Sequence, residues 1–273
     1  MNITITGGSG FLGKKLAERL LAANELVGED GASSAVENLT LLDVVDPPEE
    51  LKNDPRVTVL TGDVTDRALL EKAIPQSTDS IFHMAAIVSA GAEEDFDLGM
   101  SVNLDATRNI LEICRGNRTK PKVVFASSCA GFGGDMPRII EDMTARTPQT
   151  SYGTQKVIGE LLINDYSRKG FIDGRALRFP TVVVRPGKPN KAASTFASSI
   201  IREPLQGQTA ICPVAPESKM FLASPRSIVQ NIVHAHNLTA NEWGFSRETP
   251  LPGFTMSILS LIHISDPTRQ AEM

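Results

Sequence analysis

Ile3-Thr4-Ile5-Thr6-Gly7-Gly8-Ser9-Gly10-Phe11-Leu12-Gly13 joins a β-branched run to a Gly-x-x-Gly-x-x-Gly turn and leads into a helical pattern over residues 11–23. Strand, glycine turn and helix in that order form a phosphate cradle. Gly7 permits the tight turn, Gly10 lets the backbone approach a pyrophosphate, and Gly13 lets the helix pack closely on the sheet. The helix N-terminus then aims its free N–H groups at the anion. Gly7, Gly10, Phe11, Leu12 and Gly13 are therefore the expected contacts of a dinucleotide.

Working outward, apolar β-branched runs at 3–6, 39–43, 57–61, 80–84, 122–126 and 175–179 alternate with helical patterns at 11–23, 66–74, 95–115 and 151–168. Alternation of this kind predicts an α/β fold, a Rossmann-type doubly wound parallel sheet over residues 1–180 with helices on both faces. From Pro180 onward seven prolines between 180 and 225 break the pattern, and 196–202 and 228–238 are the predicted helices, the second with Ser224 as N-cap and Pro225 at its first position. Residues 181–256 are expected to form a small, irregular substrate-binding region at the C-terminal edge of the sheet, where open α/β sheets take ligands.

At 273 residues, with 41% hydrophobic and 22% charged, the composition excludes disorder and fibrous structure. The net charge of −5 comes from 27 basic and 32 acidic residues mixed along the chain. No basic face is available to nucleic acid, so a small ligand is expected. There is no run of ~20 apolar residues for a membrane, and the chain starts on a strand rather than a leader, which points to a cytoplasmic protein. Cys114, Cys129 and Cys212 stand far apart without metal-ligand spacing, so reduced thiols and no metal site are expected. His83 ends a buried strand, and His234 and His236, two apart on a helix, do not share a face; these read as structural or surface residues.

The second long strand ends in Leu41-Leu42-Asp43. A carboxylate there accepts both ribose hydroxyls and repels a 2′-phosphate, favouring NAD over NADP. The roughly thirty residues between Gly13 and Asp43 exceed the usual interval and imply an insertion around 28–36, with Asp46 as a rival acid. After the third strand comes Gly62-Asp63-Val64. Asp63 and Val64 either meet the adenine, Asp63 holding its amino group, or Asp63 caps the next helix.

Ser151-Tyr152-Gly153-Thr154-Gln155-Lys156 starts a helix and sets Tyr152 and Lys156 on one face at i, i+4. A phenol with a pKa of ~10 is a poor base at neutral pH, but an ammonium one turn away favours the phenolate. That spacing suits a tyrosine base.

Taken with His83-Met84-Ala85-Ala86, Asn103 and Val124-Phe125-Ala126-Ser127-Ser128-Cys129-Ala130-Gly131-Phe132-Gly133, these motifs resemble the extended short-chain dehydrogenase/reductases, over residues 1 to about 256. The resemblance implies NAD as cofactor, Ser128 (Ser127 as fallback) on the reacting oxygen, and Tyr152 as base. It also implies that Lys156 holds the nicotinamide ribose, that Ala85 and Ala86 line the cofactor groove, and that Pro180, Thr181 and Val182 pass the carboxamide. Asn103 is structural by periodicity, whereas the resemblance gives it a supporting role near Lys156; both readings stand. Ser128 is followed by Cys129-Ala130 and not by the Asp-Glu of the family's dehydratases, which argues against dehydration.

Residues 151–166 and 173–190 are similar to the D-erythronate dehydrogenase group of that family, implying oxidation of the C2 hydroxyl of a small sugar acid. Ser128 and Tyr152 would then touch the substrate, and Arg185, Lys188 and Arg202 are the candidates for its carboxylate. A nucleotide-sugar epimerase shares the same Ser/Tyr/Lys set and is the alternative. A non-catalytic NAD sensor is a third reading, although such proteins tend to lose the Tyr/Lys pair. Family members often dimerise through the helices expected at 95–115 and 151–168.

Residues 257–273 do not continue the pattern. The string over 259–269 looks like the translation of a sequencing-library adapter, so a non-native tail and an incomplete substrate region are expected.

Overall fold

Ile3, Thr4, Ile5 and Thr6 are buried on both faces of one central strand, as a strand between two helical layers requires. The computed structural model describes residues 1–29, 31–187 and 192–264. That strand, β1 (Asn2–Thr6), runs through the glycine turn into α1 (Phe11–Ala23). A hairpin of β2 (Glu25–Val27) and β3 (Ser33–Ala35) is the expected insertion, ahead of β4 (Asn38–Asp43). Next come α2 (Glu49–Lys52), β5 (Val57–Thr61), α3 (Arg67–Ala73) and β6 (Ser80–His83). Short α4 (Ser89–Glu94) and α5 (Phe96–Gly99) precede a π-helical segment, Met100–Asp105, and then α6 (Ala106–Asn117). The first part closes with β7 (Lys122–Ser128), α7 (Ser151–Arg168) and β8 (Asp173–Phe179).

Beyond it lie β9 (Thr181–Val182), α8 (Phe196–Arg202), β10 (Lys219–Ala223), α9 (Pro225–Asn237) and α10 (Ala240–Trp243). They are followed by β11 (Glu248–Pro250), β12 (Phe254–Ser257) and α11 (Ile258–Ile264). Ser224 caps α9 through the Ser227 N–H, with Pro225 at the first position, as expected.

Among the described residues the main sheet has seven strands, all parallel, in the order β11-β8-β7-β6-β1-β4-β5. The chain leaves β1 in one direction for β4 and β5, and in the other for β6, β7 and β8. The gap between β1 and β6 is therefore a topological switch point, where a ligand crevice opens. One face packs α1 and α9 into a core with Leu16, Leu20, Ile228 and Ile232; the other packs α3, α6 and α7 around Leu70, Ile110, Phe125 and Ile163.

The expected boundary at residue 180 is crossed twice. Helix α9 belongs to the main core, and β11 adds the seventh strand of the main sheet. Three residues that include Pro250 carry no periodic signal; an edge position tolerates the proline. The region expected to be irregular holds a three-stranded sheet, β12-β10-β9, and a third apolar cluster. Of the expected tail, Ile258 and Leu261 are buried in that cluster against α8, and residues 265–273 lie outside the described residues.

His83 and His236 are buried, and each ring nitrogen has a hydrogen-bond partner within the fold. Thr107 donates its hydroxyl to the Asn103 carbonyl (2.7 Å), so His83 Nε2–H donates to Thr107 Oγ1 (2.9 Å) and Nδ1 accepts from Thr6 Oγ1 (2.6 Å). His236 Nε2 lies 2.7 Å from Ser80 Oγ, its ring stacked on Phe82. Burial drives both pKa values down to about 3. The unfolded chain takes up these protons below about pH 6.5 and the folded chain does not, so stability is full above that pH and declines as the pH falls towards 3. Thermal unfolding should show a midpoint that drops steadily from about pH 7 to pH 5. A His236→Gln variant, whatever its absolute stability, should show a flatter dependence.

Candidate active site

Position 13 can only be glycine because the helix must touch the turn: a Cβ there would collide with the Gly7 carbonyl oxygen. Gly7 itself has φ of +70° and lies so close to the next segment that a Cβ would sit 2.7 Å from the Ala85 nitrogen. Gly10 caps α1 without any side-chain hydrogen bond, which leaves the first helical N–H groups directed into the crevice. Asp43, at the end of β4, reaches the same turn and accepts from the Ser9 N–H (3.0 Å). Asp46 instead engages Lys52 (2.7 Å) and Thr61, away from the turn.

The crevice has a volume of about 580 Å³. Its walls include Gly7, Gly10, Phe11, Leu12, Gly13 and Ala86 on the turn side, and Ser128, Tyr152, Lys156, Pro180, Thr181 and Val182 on the other. Arg185 completes the wall from the second lobe. Ala85 lies beneath the turn, where it packs on the core, and Val64 is buried in the second core cluster. Neither is on the crevice wall: Ala85 is held under Gly7, and Val64 shares its cluster with Leu60, Leu69 and Leu70. Asp63 makes a local turn by accepting from the Thr65 N–H (2.9 Å); the cap of α3 is Asp66.

Ser127 and Ser128 point to opposite sides of β7. Ser127 Oγ donates to Glu160 (2.5 Å), which is held by Arg178 through three contacts of 2.8–3.1 Å. Ser128 Oγ accepts from the Ala130 N–H (3.1 Å) and hydrogen-bonds the Tyr152 phenol, lowering its pKa. Thr150 caps α7 through the Gly153 N–H, which sets Tyr152 and Lys156 one turn apart on the crevice side. The Lys156 ammonium lies 5.7 Å from the Tyr152 ring centre and 4.7 Å from that of Phe125.

Burial dominates the electrostatics of this pair. It raises the Tyr152 phenol to about 12 against the pull of Ser128. It brings Lys156 down to about 7, with Glu160 opposing the fall. Each lone charge is disfavoured, and a phenolate beside an ammonium is the arrangement that relieves both.

Asn103 sits in the π-helical segment, which interrupts the single helix expected over 95–115. Its amide accepts from the Ile87 N–H (2.9 Å) and donates to the Ile87 carbonyl (3.0 Å) and to Gln155 (2.7 Å), the residue before Lys156. Arg202 is taken up by the Arg185 carbonyl, Ser199 and Glu203, and is not on the crevice wall. Lys188 lies outside the described residues. Cys129 is on the wall, with burial raising its thiol pKa, as expected for an inert thiol.

A model of the NAD dependent epimerase/dehydratase family matches residues 3–220. The chain belongs to that family. Within it, a D-erythronate dehydrogenase from Cupriavidus necator is 53% identical over 262 residues, spanning 96% of this chain and 80% of its own length. One from Haemophilus influenzae is 50% identical over the same shares. A solved structure described as a nucleoside-diphosphate-sugar epimerase from Agrobacterium tumefaciens superposes with a TM-score of 0.87 at 43% identity, covering 95% of this chain and 75% of that one.

The residues present fit the family's dinucleotide. The buried Ser9 hydroxyl has no hydrogen-bond partner among the described residues, the α1 N-terminus lacks a side-chain cap, and Asp43 stands at the turn. An uncapped helix start and an unpaired hydroxyl suit a phosphate.

One site residue is easy to miss in the sequence. A Cβ at Gly153 would collide with the Ala130 carbonyl oxygen, so glycine lets the start of α7 rest on the turn that carries Ser128. Its signal is a helix-disfavouring residue inside the Tyr-x-x-x-Lys motif. Gly153→Ala should push Tyr152 away from Ser128 and lower the maximal rate by about 10²-fold while NADH affinity, read by fluorescence titration, stays near wild type.

Proposed function

We propose that the protein oxidises the C2 hydroxyl of D-erythronate to the 2-keto acid with NAD. The reading is carried by one observation, the meeting of Ser128, Tyr152 and Lys156 on the wall that faces the glycine turn. The choice of sugar acid is supported by the dehydrogenase relatives at 50% and 53% identity.

Tyr152, as phenolate, takes the proton of the C2 hydroxyl. Ser128, whose oxygen is fixed by the Ala130 N–H, shares its hydroxyl proton between the Tyr152 phenol and the reacting oxygen. Lys156 stabilises the phenolate and is placed to hold the nicotinamide ribose. When bound, the cofactor supplies the hydride acceptor and, in its oxidised form, a positive charge. Glycine turn, Ser9 and Asp43 hold the dinucleotide's phosphates and adenosine ribose, and Pro180, Thr181 and Val182 border the carboxamide. The protein works in the cytoplasm, where its three free cysteines stay reduced. Among the described residues, no helix is long and apolar enough to cross a membrane.

The same three side chains serve epimerisation of a nucleotide sugar, the activity in the description of the Agrobacterium structure. The two chemistries separate on net redox change. NADH should accumulate with D-erythronate, and a UDP-sugar should remain unconverted; conversion without NADH would reverse the assignment. Since burial has raised the phenol, the oxidation rate should climb with pH above neutrality. Tyr152→Phe should lose about 10²–10⁴-fold in rate with NADH binding retained.

A homodimer through the outer faces of α5 and α7 belongs to the same proposal, because Phe96, Leu98 and Leu161 are exposed there. Light scattering at micromolar concentration should give twice the chain mass, and a monomer would count against it.

A further inference from the structure

Arg185 enters the crevice from the lobe opposite the glycine turn, and its guanidinium lies 5.6 Å from the ring centre of Phe11. Phe11 is the first residue of α1, the helix whose uncapped N-terminus faces the crevice. The backbone of Arg185 is pinned on both sides. Its N–H donates to Ser198 Oγ (3.0 Å) and its carbonyl accepts from Arg202 (2.5 Å). The side chain is half-buried beside the second guanidinium, and both burial and Arg202 act against its charge. Arg202 is neutralised by Glu203, whereas no carboxylate among the described residues pairs with Arg185.

A desolvated guanidinium next to a like charge is costly unless an anion arrives. Two anionic groups enter this crevice, the dinucleotide's pyrophosphate and the sugar acid's carboxylate. Position separates them. The Phe11 contact sets the guanidinium at the glycine-turn end, where pyrophosphate oxygens meet the helix N–H groups. The helix N-terminus carries only about half a positive charge against a dianion. Apart from Lys156, which sits with Tyr152, Arg185 is the cation on the described crevice wall.

We infer that Arg185 is a pyrophosphate clamp, carried by the substrate lobe and closing onto the α1 N-terminus when the dinucleotide binds. It is thus a cofactor residue and not the carboxylate ligand considered from the sequence. The cofactor then ties the two lobes together before the sugar acid enters, and Ser198 and Arg202 act through Arg185 as positioning residues. The inference rests on the dinucleotide reading of the crevice and is independent of which sugar acid is oxidised.

The test is calorimetric titration of the full chain with NADH and with ADP-ribose, which carries the pyrophosphate but no nicotinamide. Arg185→Gln should weaken both by about 10- to 100-fold, the loss of a charge-assisted bidentate contact. Arg185→Lys, keeping the charge without the fork, should recover part of it. A thermal midpoint equal to wild type shows that both variants are folded. If Arg185→Gln binds NADH and ADP-ribose within about twofold of wild type, the clamp is wrong, and a raised KM for D-erythronate in that variant would assign Arg185 to the carboxylate instead. Wild-type protein that binds neither ligand would overturn the dinucleotide reading along with the clamp.

Discussion

The carboxylate of Glu160 is the tie on which the active-site wall depends. Almost wholly buried, it accepts from Ser127 on β7 and from the guanidinium of Arg178 on β8, with Arg146 3.7 Å away. Three elements are thereby locked in one register: the strand that ends at Ser128, the helix that carries Tyr152 and Lys156, and the strand that leads to Pro180. Losing one partner of a buried pair costs roughly 3–5 kcal/mol, a large part of the 5–15 kcal/mol that holds a typical domain together. Glu160 also faces Lys156 one turn away and opposes the effect of burial on its charge. One carboxylate therefore sets both the position and the electrostatics of the reacting groups.

Burial acts on the titratable groups in two different ways. His83 and His236 are held neutral by burial, with Thr6 and Thr107 on the ring nitrogens of the first and Ser80 and Asn237 on those of the second. Tyr152 and Lys156 face the crevice, where a charge on either is disfavoured alone and favoured as a pair. The chain from Thr6 through His83 and Thr107 to Asn103 runs directly beneath the site. At its end Asn103 clasps Ile87 and Gln155, so the neutral network braces the segment next to the charged one.

Close approach is the other recurring device. Gly13 brings α1 onto the phosphate turn, and Gly153 brings α7 onto the turn bearing Ser128. The crevice is the space between these two contacts. Across it the second lobe contributes Arg185, so the crevice wall is drawn from both parts of the chain.

The alternation of strands and helices, the glycine turn and the Tyr152/Lys156 spacing are all legible in the sequence, because each is a local pattern whose physics acts within a few residues. The strands at 57–61 and the helices at 11–23 and 151–168 stand where periodicity puts them. What is not legible depends on distant partners. Strand β11 is three residues with a proline, paired only because β8 offers an open edge. The helix over 95–115 is interrupted because Asn103 is pulled into hydrogen bonds with residues 87 and 155. Ser127 and Ser128 are chemically identical in sequence, and only the Glu160–Arg178 pair, which takes up the Ser127 hydroxyl, tells them apart. The same holds for the cations: charge and spacing nominate Arg185 and Arg202 equally, but Glu203 neutralises one while the other faces Phe11 across the crevice. By itself the sequence determined six strands of the main sheet, the dinucleotide turn and the reacting residue types. Tertiary structure decided which chemically equivalent side chain meets the crevice, since that depends on burial and on partners far away in the chain.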